Sequence, residues 1–372
     1  MLANLMVVVL MYILPQTMEV ASDLISDEFV ASINNMSTTW TAGAGINFPY
    51  MMLTNYESLS GTESWMNSDE NISTMHHRRR YFDTIPDFFD ARSKWPFCKD
   101  IINTVEHQGN CTSSSWAFAS ASVMSDRMCI ESKGKIKVHL SAEDMLSCCE
   151  ECRKTGNGCS GGNILKTWKL WVRDGIVTGG YYGLNIGCKP VSASTFHESQ
   201  SPKCQKICTN DKYKIRYRDD KHRGGLIYII SFDVRQIQTE IFKYGPVSAT
   251  FYLWKDLFYY AKGVYAPVKG PKFGLHSVKI LGWGTEDGTP YWLVANSWGR
   301  HWGNGGLFKY VRGVNAEEIE RAIVAGRIDA KISPREELIN PHSSSRPLQQ
   351  THQKTVMVGV VLINYVLATL FD

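Results

Sequence analysis

The chain has 372 residues, 44% of them hydrophobic, with 11 Trp and 17 Tyr, which is enough for one large or two modest packed domains and excludes disorder of the whole. Its formal net charge of +4 is dispersed, and the one tight basic run, His76-His77-Arg78-Arg79-Arg80, is too short to argue for a nucleic-acid partner. All ten cysteines fall between Cys98 and Cys208, an even number in a narrow window that implies disulfides and an oxidising compartment.

In chain order, residues 2–14 form an apolar core of signal-peptide length ending near Ala21-Ser22. It is too short to span a membrane and lacks a basic leader, and with the cysteine count it predicts a secretory signal over 1–21. Ile25, Phe29 and Ile33 at helical spacing predict a helix, followed by Ser37-Thr38-Thr39-Trp40-Thr41-Ala42-Gly43. The basic run before Ile85-Pro86-Asp87 fits a protease-sensitive junction and equally a solvated linker. Asn35, Asn71 and Asn110 head glycosylation sequons.

Residues 115–130 read as a helix with Phe118, Ala121, Met124 and Met128 on one side, and Leu140-Ser141-Ala142-Glu143-Asp144 opens another. Residues 276–282 and 291–294 read as strands. Beyond residue 330 the composition turns to Pro, Ser, Gln and charge, which predicts a polar stalk over 331–345 rather than core. A spacer and an apolar tail occupy 346–372. Small residues Ser343-Ser344-Ser345, the spacer and the apolar run 356–371 match a GPI-attachment signal, ranked ahead of a short tail anchor and a buried C-terminal helix.

Three segments carry the chemistry. They are Gln108-Gly109-Asn110-Cys111-Thr112-Ser113-Ser114-Ser115-Trp116-Ala117-Phe118, Gly274-Leu275-His276 and Asn296-Ser297-Trp298-Gly299. Together with Phe89-Asp90-Ala91-Arg92, Trp95-Pro96 and Ile323-Val324-Ala325-Gly326, they make the chain resemble the papain family of cysteine peptidases, its cathepsin B-like branch in particular. The resemblance implies an α+β, papain-like two-lobe fold, with a helical N-terminal lobe, a β-barrel-like C-terminal lobe and a cleft between. It also implies a prosegment over 22–84 that lies along the cleft, and a peptidase domain over 85–330.

By the same resemblance, Ser115 stands at the nucleophile position, His276 is the base, Asn296 orients it, and Gln108 serves the oxyanion hole. Trp298 shields the His276 to Asn296 contact, Gly161 and Gly162 form a backbone wall for peptide, and Ala322 takes the place of an acidic specificity residue. The implied disulfides are Cys98 with Cys129, Cys111 with Cys159, Cys148 with Cys204, Cys149 with Cys152, and Cys188 with Cys208. A zinc site at Cys148, Cys149, Cys152 and Cys159 would strand the other six cysteines. No cofactor or metal is implied. The implied partners are a peptide, protein substrate or cystatin-like inhibitor in the cleft, the chain's own prosegment, and a membrane through the tail, at an extracellular or lysosomal address.

The chemistry at Ser115 departs from that family. A thiol attacks as thiolate, and a helix N-terminus with an imidazolium brings its pKa below neutrality. An alkanol starts too high for a helix field of at most about 2 kcal/mol to ionise it. The remaining route is general-base attack through His276, and an amide such as Asn296 in place of a carboxylate lowers turnover of a serine triad by about 10⁴. Three residues, Thr112, Ser113 and Ser114, separate Cys111 from Ser115 where the family has two. The expectation is an inactive cathepsin B-like homologue, with weak endopeptidase action through Ser115, His276 and Asn296 as the alternative. Dipeptide release is not expected, because the interval from Cys188 to Cys204 offers a single histidine, His197, in place of the family's adjacent pair.

Overall fold

A computed structural model describes residues 27–36, 38–43, 72–77, 85–329, 331 and 336–339. In chain order the strands are β1 (Trp40–Ala42), β2 (Thr74–His77), β3 (Phe89–Asp90), β4 (Leu226–Ile230), β5 (Val247–Trp254), β6 (Tyr260–Tyr265), β7 (Lys272–Glu286), β8 (Thr289–Ala295), β9 (Leu307–Val311), β10 (Ile323–Arg327) and β11 (Glu336–Ile339). The principal helices are α1 (Asp27–Asn34), α2 (Ser115–Glu131), α3 (Ala142–Cys148), α4 (Ile164–Arg173), α5 (Ala193–Glu198) and α6 (Val234–Tyr244). Helices dominate between residues 91 and 200 and strands dominate from 226 onward, so a helical lobe faces a strand-rich one.

Two apolar clusters correspond to those lobes. One gathers Trp116, Phe118, Met124, Met145, Trp168 and Trp171 from the helices, and the other gathers Tyr228, Phe251, Val278, Trp283, Trp292 and Tyr310 from the strands. The sheet runs in the order β1-β6-β9-β8-β7-β5-β10-β4-β2-β11, with β3 beside β7. It is an open path, so the barrel-like lobe expected from the resemblance does not close. A closed barrel needs its first and last strands to meet, and here the two ends are β1 and β11.

Helix α2 departs from its expected one-sided burial. Phe118, Ala121, Met124 and Met128 are buried, and so is every other residue from Ser115 to Ile130. Small residues make this possible: the hydroxyls of Ser120 and Ser125 donate to the carbonyls of Trp116 and Ala121 one turn back, at 2.7 and 2.6 Å. Its charges are paired across the lobes, Asp126 with Lys279 of β7 at 2.9 Å and Arg127 with Glu240 of α6 at 2.8 Å. Helix α3 starts where the sequence placed it, capped by Ser141 accepting from the Asp144 N–H at 2.9 Å.

The strands expected over 276–282 and 291–294 are parts of the longer β7 and β8, joined at Asp287-Gly288, both with positive φ (48° and 78°). That two-residue link suits a hairpin whose strands twist right-handedly. Of the helix expected from Ile25, the described part is Asp27–Asn34, with Ile33 fully buried, and Ile25 itself lies outside the described residues. The stretch expected as a polar stalk contains β11, because Leu338 packs against the strand-rich core opposite Met75 of β2. The ten cysteines form five disulfides, Cys98–Cys129, Cys111–Cys159, Cys148–Cys204, Cys149–Cys152 and Cys188–Cys208, which leave no free thiol. The signal over 1–21 and the apolar tail lie outside the described residues, among which no helix is long and apolar enough to cross a membrane.

Candidate active site

The strand-rich lobe presents His276 and Asn296 from neighbouring strands whose pairing carries one irregularity, between Ile280 and Gly282. His276 sits on β7 opposite Phe251 of β5, and Asn296 follows the last residue of β8, the strand hydrogen-bonded to β7 on its other side. The hairpin thus brings together two residues twenty apart in sequence, with His276 Nε2 and Asn296 Oδ1 2.9 Å apart. Asn296 Oδ1 also accepts from the Ser297 N–H at 2.8 Å. Because an amide oxygen only accepts, the imidazole carries its proton on Nε2 and keeps the Nδ1 lone pair as a possible base.

Trp298, 3% exposed, tilts over the imidazole with ring centroids 5.0 Å apart, and Phe251 meets it edge-on at 5.9 Å. This apolar enclosure leaves His276 2% exposed. Burial lowers its pKa from 6.5 to about 4, partly offset by the Asn296 contact. His276 is therefore neutral at pH 7, and its low basicity makes it a poor proton acceptor there.

The other side of the site is built from a loop and the start of α2. Ser115 is the first residue of the helix and is 2% exposed. The capping position falls one residue earlier, on Ser114, whose side chain makes no cap bond and instead donates to the Cys111 carbonyl. Freed from capping, Ser115 Oγ accepts the backbone N–H of Ser277 at 3.1 Å. Among the described residues no hydrogen bond joins Ser115 to His276, the neighbour of the residue it does contact.

Gln108 lies inside the loop, with no exposed surface. Its Nε2 donates to the carbonyls of Cys111 and Thr112, at 3.2 and 2.6 Å, and its Oε1 accepts from Ser297 Oγ at 2.6 Å. Its amide hydrogens are thus engaged by main-chain carbonyls of the loop before α2. An oxyanion donor has to reach the developing charge at about 2.7–3.1 Å, and here those hydrogens are committed elsewhere. Ser113 Oγ in the same loop is buried with no hydrogen-bond partner among the described residues.

Helix α5 packs on this loop from outside. The Phe196 carbonyl accepts the Asn110 N–H at 2.7 Å, the His197 carbonyl accepts from Asn110 Nδ2 at 2.8 Å, and the Phe196 ring stacks on Tyr182 at 4.3 Å. The contact depends on Gly109, where φ is +58° and a Cβ would lie 2.4 Å from the Phe196 carbonyl oxygen. Asn110, a sequon residue, thus has its amide nitrogen engaged in the fold. Asn35 is exposed, and Asn71 lies outside the described residues.

The remaining expected contacts are accounted for individually. Gly162 must be glycine, since a Cβ there would meet the Trp116 ring at 2.5 Å, while the Gly161 carbonyl accepts the Lys154 N–H at 2.9 Å. Ala322 is 1% exposed and packs into the helical core, its carbonyl accepting the Thr250 N–H at 3.0 Å. Sequence reading missed the parts played by Ser277, Ser297 and Phe196. The first two directly follow His276 and Asn296 in the sequence, and that adjacency was the available signal. Phe196 left none, because nothing local tells which loop a short helix will cover.

A helix start facing a His–Asn pair supplied by a sheet is the arrangement that the resemblance to papain-type peptidases implies. The family model described as "Papain family cysteine protease" matches residues 85–327, and the chain belongs to that family. Within it, the chain is 41% identical over 322 residues to Cathepsin B-like cysteine proteinase 5 of Caenorhabditis elegans, covering 82% of this chain and 91% of the relative. It is 45% identical over 258 residues to Cathepsin B-like cysteine proteinase 4 of the same organism, covering 66% and 76% respectively. Among solved structures, proCathepsin B S9 from Trypanosoma congolense superposes with a TM-score of 0.68 at 33% identity, over 82% of this chain and 99% of that one.

Proposed function

We propose that this protein is a cathepsin B-like homologue whose peptidase site is inactive because Ser115 stands where the family carries its nucleophilic cysteine, while the cleft serves to bind peptide, prosegment or a cystatin-like inhibitor. The observation that carries this reading is the pairing of two facts. Every cysteine is in a disulfide, and the Ser115 hydroxyl at the helix start accepts from the Ser277 N–H rather than engaging His276. Nucleophile activation needs hydrogen-bond contact between attacking group and base, and the base is weak at pH 7 because burial lowers its pKa to about 4. The inward turn of Gln108 adds to the reading, since loss of one oxyanion donor costs on the order of 10²–10³ in rate.

We take residues 22–84 as a prosegment and 85–330 as the domain it serves, entering the secretory pathway through 1–21 for a lysosomal or extracellular address, with the C-terminal tail as a GPI signal. The deciding assay is hydrolysis of unblocked peptides by purified protein, run beside binding of a cystatin-type inhibitor. The expected outcome is binding without turnover. Turnover that disappears in Ser115→Ala would replace this reading with weak endopeptidase action through Ser115, His276 and Asn296. Release of surface protein by phospholipase tests the tail.

A further inference from the structure

Strand β2 is an interior strand of the sheet. It runs parallel to β4, with Thr74 opposite Ile229 and Met75 opposite Ile230, and the N–H groups of Ile229 and Ser231 donate to the carbonyls of Ser73 and Met75 at 3.1 and 3.3 Å. Its far side is covered by β11, antiparallel, with Glu336 opposite His77 and Leu338 opposite Met75. Met75 has no exposed surface and belongs to the strand-rich core with Tyr228, Ile230, Ile237 and Ile241.

His77 reaches further in. Its Nε2 lies 2.9 Å from Glu240 Oε2, and the same carboxylate accepts from Arg127 at 2.8 Å and from the Tyr228 hydroxyl at 2.8 Å. The Gln236 side chain grips the His77 backbone from both sides, accepting its N–H at 2.7 Å and donating to its carbonyl at 3.0 Å. The slot between β4 and β11 therefore offers a ladder on each edge, a core socket for one apolar side chain and a buried carboxylate for one imidazole. The matching features all lie within residues 73–77.

We infer that residues 72–77 remain seated in this slot after the chain is severed between residues 77 and 85, and that β11 is the latch that keeps them there. Strand addition to a sheet edge draws affinity from main-chain bonds and selectivity from alternate side chains, and here the added strand is closed in by a second strand from the far end of the chain. The same N-terminal segment also pairs β1 with β6 and buries Trp40, whose indole N–H donates to the Ala266 carbonyl at 2.9 Å. Two sites on one segment raise retention well beyond either alone. A cut at the basic run then yields a two-chain protein whose N-terminal piece does not leave. The inference stands on strand pairing and holds whatever the competence of Ser115.

The test uses the full chain with a site-specific protease sequence placed within 78–84, disulfides intact. After cutting, the N-terminal fragment is expected to co-elute with the remainder on gel filtration. A chain ending at residue 331, and Leu338→Asp in the full chain, are expected to release it at least about tenfold faster, as loss of a few net-favourable ladder bonds implies. Circular dichroism of the cut species distinguishes release from unfolding. Separation of the fragment from the cut full chain, or equal retention without β11, would overturn the latch. Hydrogen exchange on the uncut protein gives a second reading that needs no variant to fold: amides of 74–77 protected as strongly as those of 226–230 support it, and exchange at the rate of exposed loops contradicts it.

Discussion

The two sides of the cleft differ in how their geometry is specified. His276 and Asn296 are held by a hairpin whose long ladder, with one shift between Ile280 and Gly282, brings them to 2.9 Å. Gln108 opens a seven-residue loop, 108–114, and Ser115 starts the helix after it; the loop is tied at its beginning by a single bridge, His107 to Trp298, and otherwise runs without a ladder. In that segment Gln108 donates to main-chain carbonyls and Ser115 accepts from a backbone amide. A ladder fixes residues through many repeated bonds, whereas a loop, the more variable element, rests on a few side-chain contacts.

The comparison is sharpened most by restoring the nucleophile side alone. Ser115→Cys combined with deletion of Ser113 should exceed Ser115→Cys in peptide hydrolysis by on the order of 10²-fold, because repositioning by about 1 Å carries a factor of that size. Equal activity of the two variants would show that the loop length is immaterial. Next in size is the disulfide that anchors this loop: Cys111→Ala with Cys159→Ala should lower stability by about 2–5 kcal/mol in denaturant titration.

The strand side is probed through pH. His276 has a folded pKa lowered to about 4 by burial, so below its ordinary 6.5 the unfolded chain binds the proton more readily. The stability this residue contributes is present above pH 6.5 and lost as pH falls from 6.5 to 4, by on the order of 3 kcal/mol. Denaturant midpoints at pH 7 and pH 4.5 should therefore converge more closely in His276→Gln than in the parent chain. A second acid-side loss follows at lower pH, since the Arg127 partner holds Glu240 down at about 2 against the burial that opposes it, and this contribution fades between 4.5 and 2. The smallest effect should come from Phe196→Ala. Removing its stack on Tyr182 is worth about 0.5–1.5 kcal/mol beyond lost area, read as greater proteolytic sensitivity of the 108–114 loop.

What the residues themselves made legible follows the same division. Alternating and helical patterns placed β7, β8, α1 and α2, because periodicity reports directly on which face is buried. Helix α2 was misjudged as one-sided, since its serines look solvent-facing until their hydroxyls are seen to bond one turn back. The contact of Ser115 with Ser277 joins residues 162 apart and has no local signature. Nor does β11: four residues in a stretch rich in charge and proline become a strand only because β2 already offers an edge.

The open sheet carries one more implication. Its end strands β1 and β11, and β2 inside β11, all lie outside residues 85–327, the part shared with the wider family. A fragment trimmed to that shared part would bare the backbone of β6 on one flank and of β4, with its run Leu226-Ile227-Tyr228-Ile229-Ile230, on the other. Unsatisfied amides beside apolar side chains invite intermolecular pairing, so the trimmed fragment should precipitate or form fibrils where the longer chain stays monodisperse.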